Sequence, residues 1–140
     1  AFPTLTSLAI DRLLAALSML RPLLDHHSQR HYLRYDIERQ VAWTTGAYLW
    51  IRRDVFDALE GWDSEIFMYG EDADLCYRSH KLGRPVLYTP DSQAFHYHNK
   101  VPLDRTRRKR LLREGLTFFA RKHYGPLRAR AYRRILGWLW

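Results

Sequence analysis

Residues 67–78 read F-M-Y-G-E-D-A-D-L-C-Y-R. A turn holding Phe67, Tyr69 and Gly70 runs into Glu71, Asp72 and Asp74, and carboxylates in a first helical turn meet the positive end of the helix dipole. The pattern predicts a helix that starts near Glu71 and Asp72 and ends before Gly83. A carboxylate at such a junction is held by backbone donors yet stays reachable, as a general base must be. The same acids serve equally as the solvated cap of an ordinary helix, and spacing alone leaves both readings open. Asp72-Ala73-Asp74 spells D-x-D, a pattern associated with a divalent metal and a nucleotide diphosphate. On a helix, however, positions two apart lie about 200° apart around the axis and cannot grip one ion. Asp74 stands four before Arg78, which predicts a helix-surface ion pair. Cys76, inside the helix, reads as a core residue rather than a nucleophile.

Outward from this block, V-A-W-T-T-G-A-Y-L-W-I at 41–51 is rich in β-branched and aromatic residues and predicts a strand buried on at least one face. Gly46 within it marks a bulge or a close approach of another backbone or a ligand. A short helix over 54–59, stopped at Gly61, comes next. On the C-terminal side two strands are predicted at 85–88 and 93–98, separated by the turn Thr89-Pro90-Asp91-Ser92. Alternation puts His96 and His98 on one face of the second strand, either as a metal-binding pair or as ordinary packed or solvent-facing side chains. At the N-terminal end, Ile10, Leu13, Leu14, Leu17 and Leu24 predict an amphipathic helix within 4–24, ending near Pro22, and 25–40 reads as a loop. The tail reads as two helices broken apart at Gly125-Pro126. Leu112, Leu116 and Phe119 form the apolar stripe of 105–123, and Leu127, Ala131, Ile135 and Trp138 that of 127–140.

The whole chain has 140 residues, 46% of them hydrophobic and 14% aromatic, enough for one packed domain. A single cysteine excludes an internal disulfide, and the N-terminal stretch lacks the pattern of a secretory signal, so a disulfide-built secreted scaffold is not expected. No run of about 18 uncharged apolar residues suits a membrane span. P-loop, serine-hydrolase, paired C-x-x-C and H-E-x-x-H patterns are absent. The formal net charge of +8 is unevenly spread: residues 100–140 hold 13 Lys and Arg against Asp104 and Glu114, a net of +11, which leaves −3 for residues 1–99. A mildly acidic body thus carries a strongly basic tail suited to an anionic membrane surface. Few aromatics interleave with its arginines, so nucleic acid ranks below a membrane as partner.

The ordered succession T-G-A (45–47), I-R-R-D-V-F (51–56), G-W-D (61–63), the block at 67–78, L-G-R-P-V-L-Y-T-P (82–90) and a histidine six residues after that proline resembles glycosyltransferase family 2, in particular its rhamnosyltransferase-like branch. The resemblance implies an α/β chain forming part of a GT-A-type fold, lacking the N-terminal nucleotide-binding half and carrying C-terminal helices. It implies an acceptor-side, catalytic-base half over 1–100 and a basic amphipathic helical extension over 101–140.

The resemblance further implies inverting transfer of a sugar, rhamnose in this branch, from a nucleotide-diphospho-sugar to a glycan or lipid-linked acceptor. Asp72 would be the base. Glu71 would position the acceptor, with Gly46 and Ala47 passing beneath it and Trp62 and Asp63 in the loop around its pocket. His96 would contribute to a Mg or Mn site in the complete enzyme, with the part of His98 left open. A cytoplasmic enzyme, peripheral at the inner face of the membrane, is expected. The chain departs from the family pattern at Glu60 (usually Gly), Ser64 (usually Glu) and Asn99-Lys100-Val101 (usually a small Gly- and Ser-rich loop). The expectation from a different class is a non-catalytic basic module that binds an anionic membrane or nucleic acid.

Overall fold

The computed structural model describes residues 2, 4, 6, 7, 9, 10, 36–97 and 104–138. Two short strands, β1 (Arg39–Val41) and β2 (Val86–Tyr88), pair antiparallel with Arg39 opposite Tyr88, Gln40 opposite Leu87 and Val41 opposite Val86. With them go helices α1 (Arg53–Ala58), α2 (Glu71–Lys81), α3 (Arg105–Tyr124) and α4 (Pro126–Trp138). The described residues are thus a mixed α/β chain. None of their helices is long and apolar enough to cross a membrane.

Helices α1, α2 and α3 and strand β2 follow the sequence closely, and their ends have visible causes. Asp104 caps α3 by accepting a hydrogen bond from the Arg107 backbone N–H at 2.9 Å. Pro126 opens α4, where its missing N–H costs nothing. Arg78 closes the C-terminal end of α1 from a distance, donating to the carbonyls of Leu59 (2.6 Å) and Gly61 (2.9 Å).

Three expectations are corrected. The strand predicted over 41–51 ends at Val41, and residues 42–52 continue as turns and irregular chain with Trp50 81% exposed. β-rich composition reports fitness for a half-buried pleated surface, and it becomes a strand only where a neighbour takes up the ladder; among the described residues only β2 does so, and only as far as Val41. Residues 93–97 likewise form no strand, leaving Phe95 and Tyr97 exposed, while His98 lies outside the described residues. In α4 the packed face is Ala129, Tyr132 and Leu136, whereas Leu127 is 76% exposed. Both stripes have helical spacing, and the inward one is that which meets Leu116, Ala120 and Tyr124 of α3. The helix predicted over 4–24 lies largely outside the described residues. So does most of the loop at 25–40, whose last two residues, Arg39 and Gln40, belong to β1.

Two apolar clusters hold the described part together. Val55 and Leu59 of the α1 region pack with Leu75 of α2, flanked by Leu49, Ile51 and Phe56. The second joins α3 and α4 into a hairpin through Ala120, Ala129, Tyr132 and Leu136, with Leu116 and Tyr124 against it. Each large side chain so buried contributes about 1.5–3 kcal/mol. An aromatic layer then fastens α3 to α2. Tyr77 of α2 meets Phe119 edge-on at 5.7 Å, and the His123 ring packs against both, at 4.3 and 4.8 Å. The basic tail is therefore docked on the body, and one of its faces is core.

Candidate active site

Two successive residues with positive φ, Tyr69 (66°) and Gly70 (122°), reverse the chain and deliver Glu71 and Asp72 to the start of α2. The reversal is held from behind by α3. A Cβ built on Gly115 would stand 1.7 Å from the Tyr69 carbonyl oxygen and 2.9 Å from that of Met68, so no side chain fits between this helix and the turn. A Cβ on Gly70 would in turn lie 3.2 Å from the Gly115 backbone.

Asp72 is half-buried. Its Oδ2 accepts the Gly46 backbone N–H at 3.2 Å and its Oδ1 that of Ala73 at 2.8 Å. Burial raises its pKa above the ordinary carboxylate value, outweighing these backbone donors, which pull the other way. A more basic carboxylate results. Trp62 completes the group: a Cβ on Gly46 would lie 3.8 Å from both the Asp72 Cβ and the Trp62 ring, ordinary contact distance. The structure thus brings Gly46, Trp62 and Asp72 together across 26 residues of chain. Ala47 lies exposed in the same turn, its N–H donating to the Thr45 hydroxyl at 3.4 Å. Glu71 is half-buried, and burial raises its pKa too. Its Oε2 is buried with no hydrogen-bond partner among the described residues. Beside Thr44 and Thr45 opens a cleft of about 660 Å³, lined largely by Tyr48, Trp50, Cys76, Val86 and Tyr88. Cys76 is a buried free thiol, as its helical position predicts, and burial raises its pKa.

The other predicted site residues stand apart. Asp63 turns toward α3, where its Oδ2 meets Lys122 Nζ at 2.6 Å while its Oδ1 accepts the Glu65 N–H at 2.9 Å; the Lys122 ammonium holds its pKa below the usual range. His96 lies exposed on the irregular segment after Ser92. Among the described residues no three His, Cys, Asp or Glu side chains are placed to hold a metal ion. His96 is a single donor and does not by itself fit a cation site.

Asp74 requires a correction. It was expected on the surface with Arg78, yet its side chain is fully buried. Arg78 Nε lies 2.7 Å from Oδ2, and Lys122 Nζ (2.8 Å) and His123 Nε2 (2.6 Å) share Oδ1. Burial alone would raise its pKa, but the hydrogen bonds from His123, Lys122 and Arg78 together hold it far below the usual range. The carboxylate is therefore ionised and can only accept, so the His123 Nε2 donates. Asp72 and Asp74 accordingly face different neighbours, as the helical angle between them requires.

Residues 6–117 match the family described as Glycosyltransferase like family 2. The chain belongs to glycosyltransferase family 2. Among curated proteins this family 2 chain is similar to the N-acetylglucosaminyl-diphospho-decaprenol L-rhamnosyltransferase of Mycobacterium tuberculosis, 40% identical over 60 residues, covering 43% of this chain and 20% of that protein. It is also similar to rhamnosyltransferase WbbL of Escherichia coli, 39% identical over 57 residues, 41% of this chain and 22% of that protein. The aligned part thus spans about a fifth of each relative's length. No solved structure matches the chain.

Sequence reasoning on this family 2 chain missed Lys122, His123 and Gly115. Lys122 and His123 lie 48 and 49 residues from Asp74, beyond any local spacing rule. Their one sequence signal is that they follow Phe119 by three and four positions, which puts His123 on the inner face of α3 and Lys122 at its edge.

Proposed function

We propose that this chain is the acceptor-side, catalytic-base half of a family 2 sugar transferase, with residues 1–100 carrying the site and 101–140 forming a basic helical extension that braces it. The single observation that carries the reading is the half-buried Asp72, whose carboxylate accepts from the Gly46 and Ala73 backbone N–H groups and whose basicity is raised by burial. Its position between Gly46 and Trp62 suits an acceptor hydroxyl delivered from solvent. Asp72 takes the hydroxyl proton as the oxygen attacks the anomeric carbon, and the bond to the nucleotide diphosphate breaks on the opposite face, inverting the centre. Glu71, half-buried beside Asp72 at the start of α2, is placed to position the acceptor. Gly46, Ala47 and Trp62 line the approach, Trp62 as a ring face for a sugar.

The donor is a nucleotide-diphospho-sugar, with rhamnose favoured by the names of the relatives, and the acceptor a glycan or a lipid-linked sugar. Donor-binding groups come from the remainder of the complete enzyme, as do most ligands for a Mg or Mn ion, to which His96 adds at most one. A cytoplasmic place at the inner membrane face follows from a lipid-linked acceptor. The test is transfer by the enzyme that contains this chain, supplied with uridine or deoxythymidine diphosphate sugars and a polyprenyl-diphosphate-linked acceptor. NMR of the product should give the inverted anomer. Retention, or nucleotide-sugar hydrolysis without any acceptor product, contradicts the reading.

A second reading, a non-catalytic basic module at an anionic membrane, draws on the exposed Arg105, Arg107 and Arg110 of α3 and Arg130 and Arg134 of α4 beside exposed Leu127. Sedimentation with vesicles separates the outcomes: binding should need anionic lipid and weaken with salt. Equal binding to neutral vesicles, or to nucleic acid alone, counts against it. The two readings are compatible in an enzyme acting on lipid-linked substrates.

A further inference from the structure

Helix α3 touches the site region at two places about 11 Å apart along its axis. Gly115 seats the turn that precedes Glu71, and Lys122 with His123 holds the side chain of Asp74, two residues beyond Asp72. Lys122 also reaches Asp63, next to Trp62, so one ammonium ties the helix that carries Asp72 to the loop that carries Trp62. The same loop is tied from the other side, because Arg78 grips Asp74 with Nε and the Leu59 and Gly61 carbonyls with its other nitrogens. His123 is held in turn by the rings of Tyr77 and Phe119. The hydrogen bonds of Lys122, His123 and Arg78 go to Asp74, Asp63 and the Leu59 and Gly61 carbonyls, whereas Asp72 is held by the Gly46 and Ala73 N–H groups.

The geometry points to Lys122 and His123 as positioning residues, which by gripping Asp74 and Asp63 fix the rotation of α2 and the place of the Trp62 loop, and so aim the Asp72 carboxylate at the space beside Gly46. The inference rests on the reading of Asp72 as the base. The lever is short. A carboxylate carried about 6 Å from a helix axis moves about 1 Å for each 10° of rotation, and a misplacement of that size costs up to about 100-fold in rate. Fixing Asp74, on a different face of the same helix, is the mechanical means of fixing Asp72. A purely structural role for the cluster makes a different prediction, since it lowers stability without separating kcat from KM.

The experiment compares Lys122→Gln, His123→Phe and Lys122→Arg in the enzyme that contains this chain, with Leu136→Ala as a variant destabilised in the α3–α4 hairpin far from the cluster. His123→Phe keeps a ring between Tyr77 and Phe119 and removes only the donor, so it remains informative should Lys122→Gln fail to fold. Lys122→Gln and His123→Phe should lower kcat about 10- to 100-fold with KM changed less than about twofold, whereas Lys122→Arg restores kcat and Leu136→Ala lowers Tm while keeping it. Loss of kcat in Leu136→Ala to the same degree, or a change confined to KM, overturns the inference. A second readout is independent of catalysis. The Asp72 carboxyl carbon, followed by NMR across pH, should titrate lower in Lys122→Gln and His123→Phe than in the parent, moving toward the ordinary value of about 3.9 as water reaches it. An unchanged midpoint in folded variants overturns the positioning role whether or not sugar transfer is found, so failure of the proposed function and failure of this inference remain distinguishable.

Discussion

Gly115→Ala tests how tightly α3 is seated on the turn before Asp72. Alanine is the better helix former by about 1 kcal/mol, so on propensity alone the substitution stabilises. Its Cβ, however, would fall 1.7 Å from the Tyr69 carbonyl oxygen and 2.8 Å from the Tyr69 carbonyl carbon, both backbone atoms that no rotamer change can move aside. Restoring ordinary contact requires α3 and the turn to separate by about 1.5 Å, and overpacking of this kind costs about 1–3 kcal/mol. The separation also stretches the charged hydrogen bonds of Lys122 and His123 to Asp74, each worth about 1.5–3 kcal/mol. The net expectation is destabilisation by about 2–4 kcal/mol, a fall in Tm of roughly 8–16 °C for a chain of this size. Gly137→Ala supplies the control. It is the same substitution on α4, with nothing within 4 Å of the added Cβ, and should stabilise by up to about 1 kcal/mol. Urea unfolding followed by circular dichroism and tryptophan fluorescence reads both. A Gly115→Ala protein as stable as the parent, or more so, would refute the claim that α3 is locked against the turn.

Other outcomes follow from the same structure. Asp74→Ala leaves Lys122 and Arg78 without their shared partner and should cost about 3–5 kcal/mol at neutral pH, measured by urea titration. Because Asp74 is held below its unfolded pKa, its contribution is fully present above about pH 4 and is lost as pH falls further. Acid unfolding of the parent should therefore begin below that point, and the limb should be flatter in Asp74→Asn. Glu60 adopts a φ of 57° with an ordinary side chain, so Glu60→Gly should be neutral or stabilising by up to about 1 kcal/mol in a thermal melt. Clear destabilisation would mean that its side chain makes a contact worth more than the strain. Cys76, almost fully buried at the wall of the cleft and with a raised thiol pKa, should react with a thiol reagent much more slowly than the same thiol in the unfolded chain, and equal rates would contradict that burial.

Much of the site could be read from residues 67–78 because its signals are local. Acids after an aromatic turn and a glycine specify a helix start, and α2 begins at Glu71 as they require. The meeting of Asp72 with Gly46 and Trp62 is non-local, and only the resemblance to the family suggested it. Asp74 was half legible: the four-residue spacing revealed Arg78, but the partners that bury it come from α3, and no periodicity relates residue 74 to 122 and 123. The 41–51 run misled for the opposite reason. Val, Trp, Tyr and Ile advertise a surface that packs, and a ladder needs a partner strand, which among the described residues only β2 supplies. In α4 the pattern gave the period correctly but took Leu127 for an inward residue, since the inward face is chosen by non-local packing against Leu116, Ala120 and Tyr124 of α3.

The central claim is that Asp72 removes the proton from the acceptor hydroxyl. Asp72→Asn keeps the shape of the side chain and an acceptor for the Gly46 N–H while removing the base. Sugar transfer by the enzyme that contains this chain should fall by about 10²–10⁴-fold with folding intact, as judged by an unchanged circular dichroism spectrum and cooperative melt. Transfer at the parent rate by a folded Asp72→Asn protein would contradict the account.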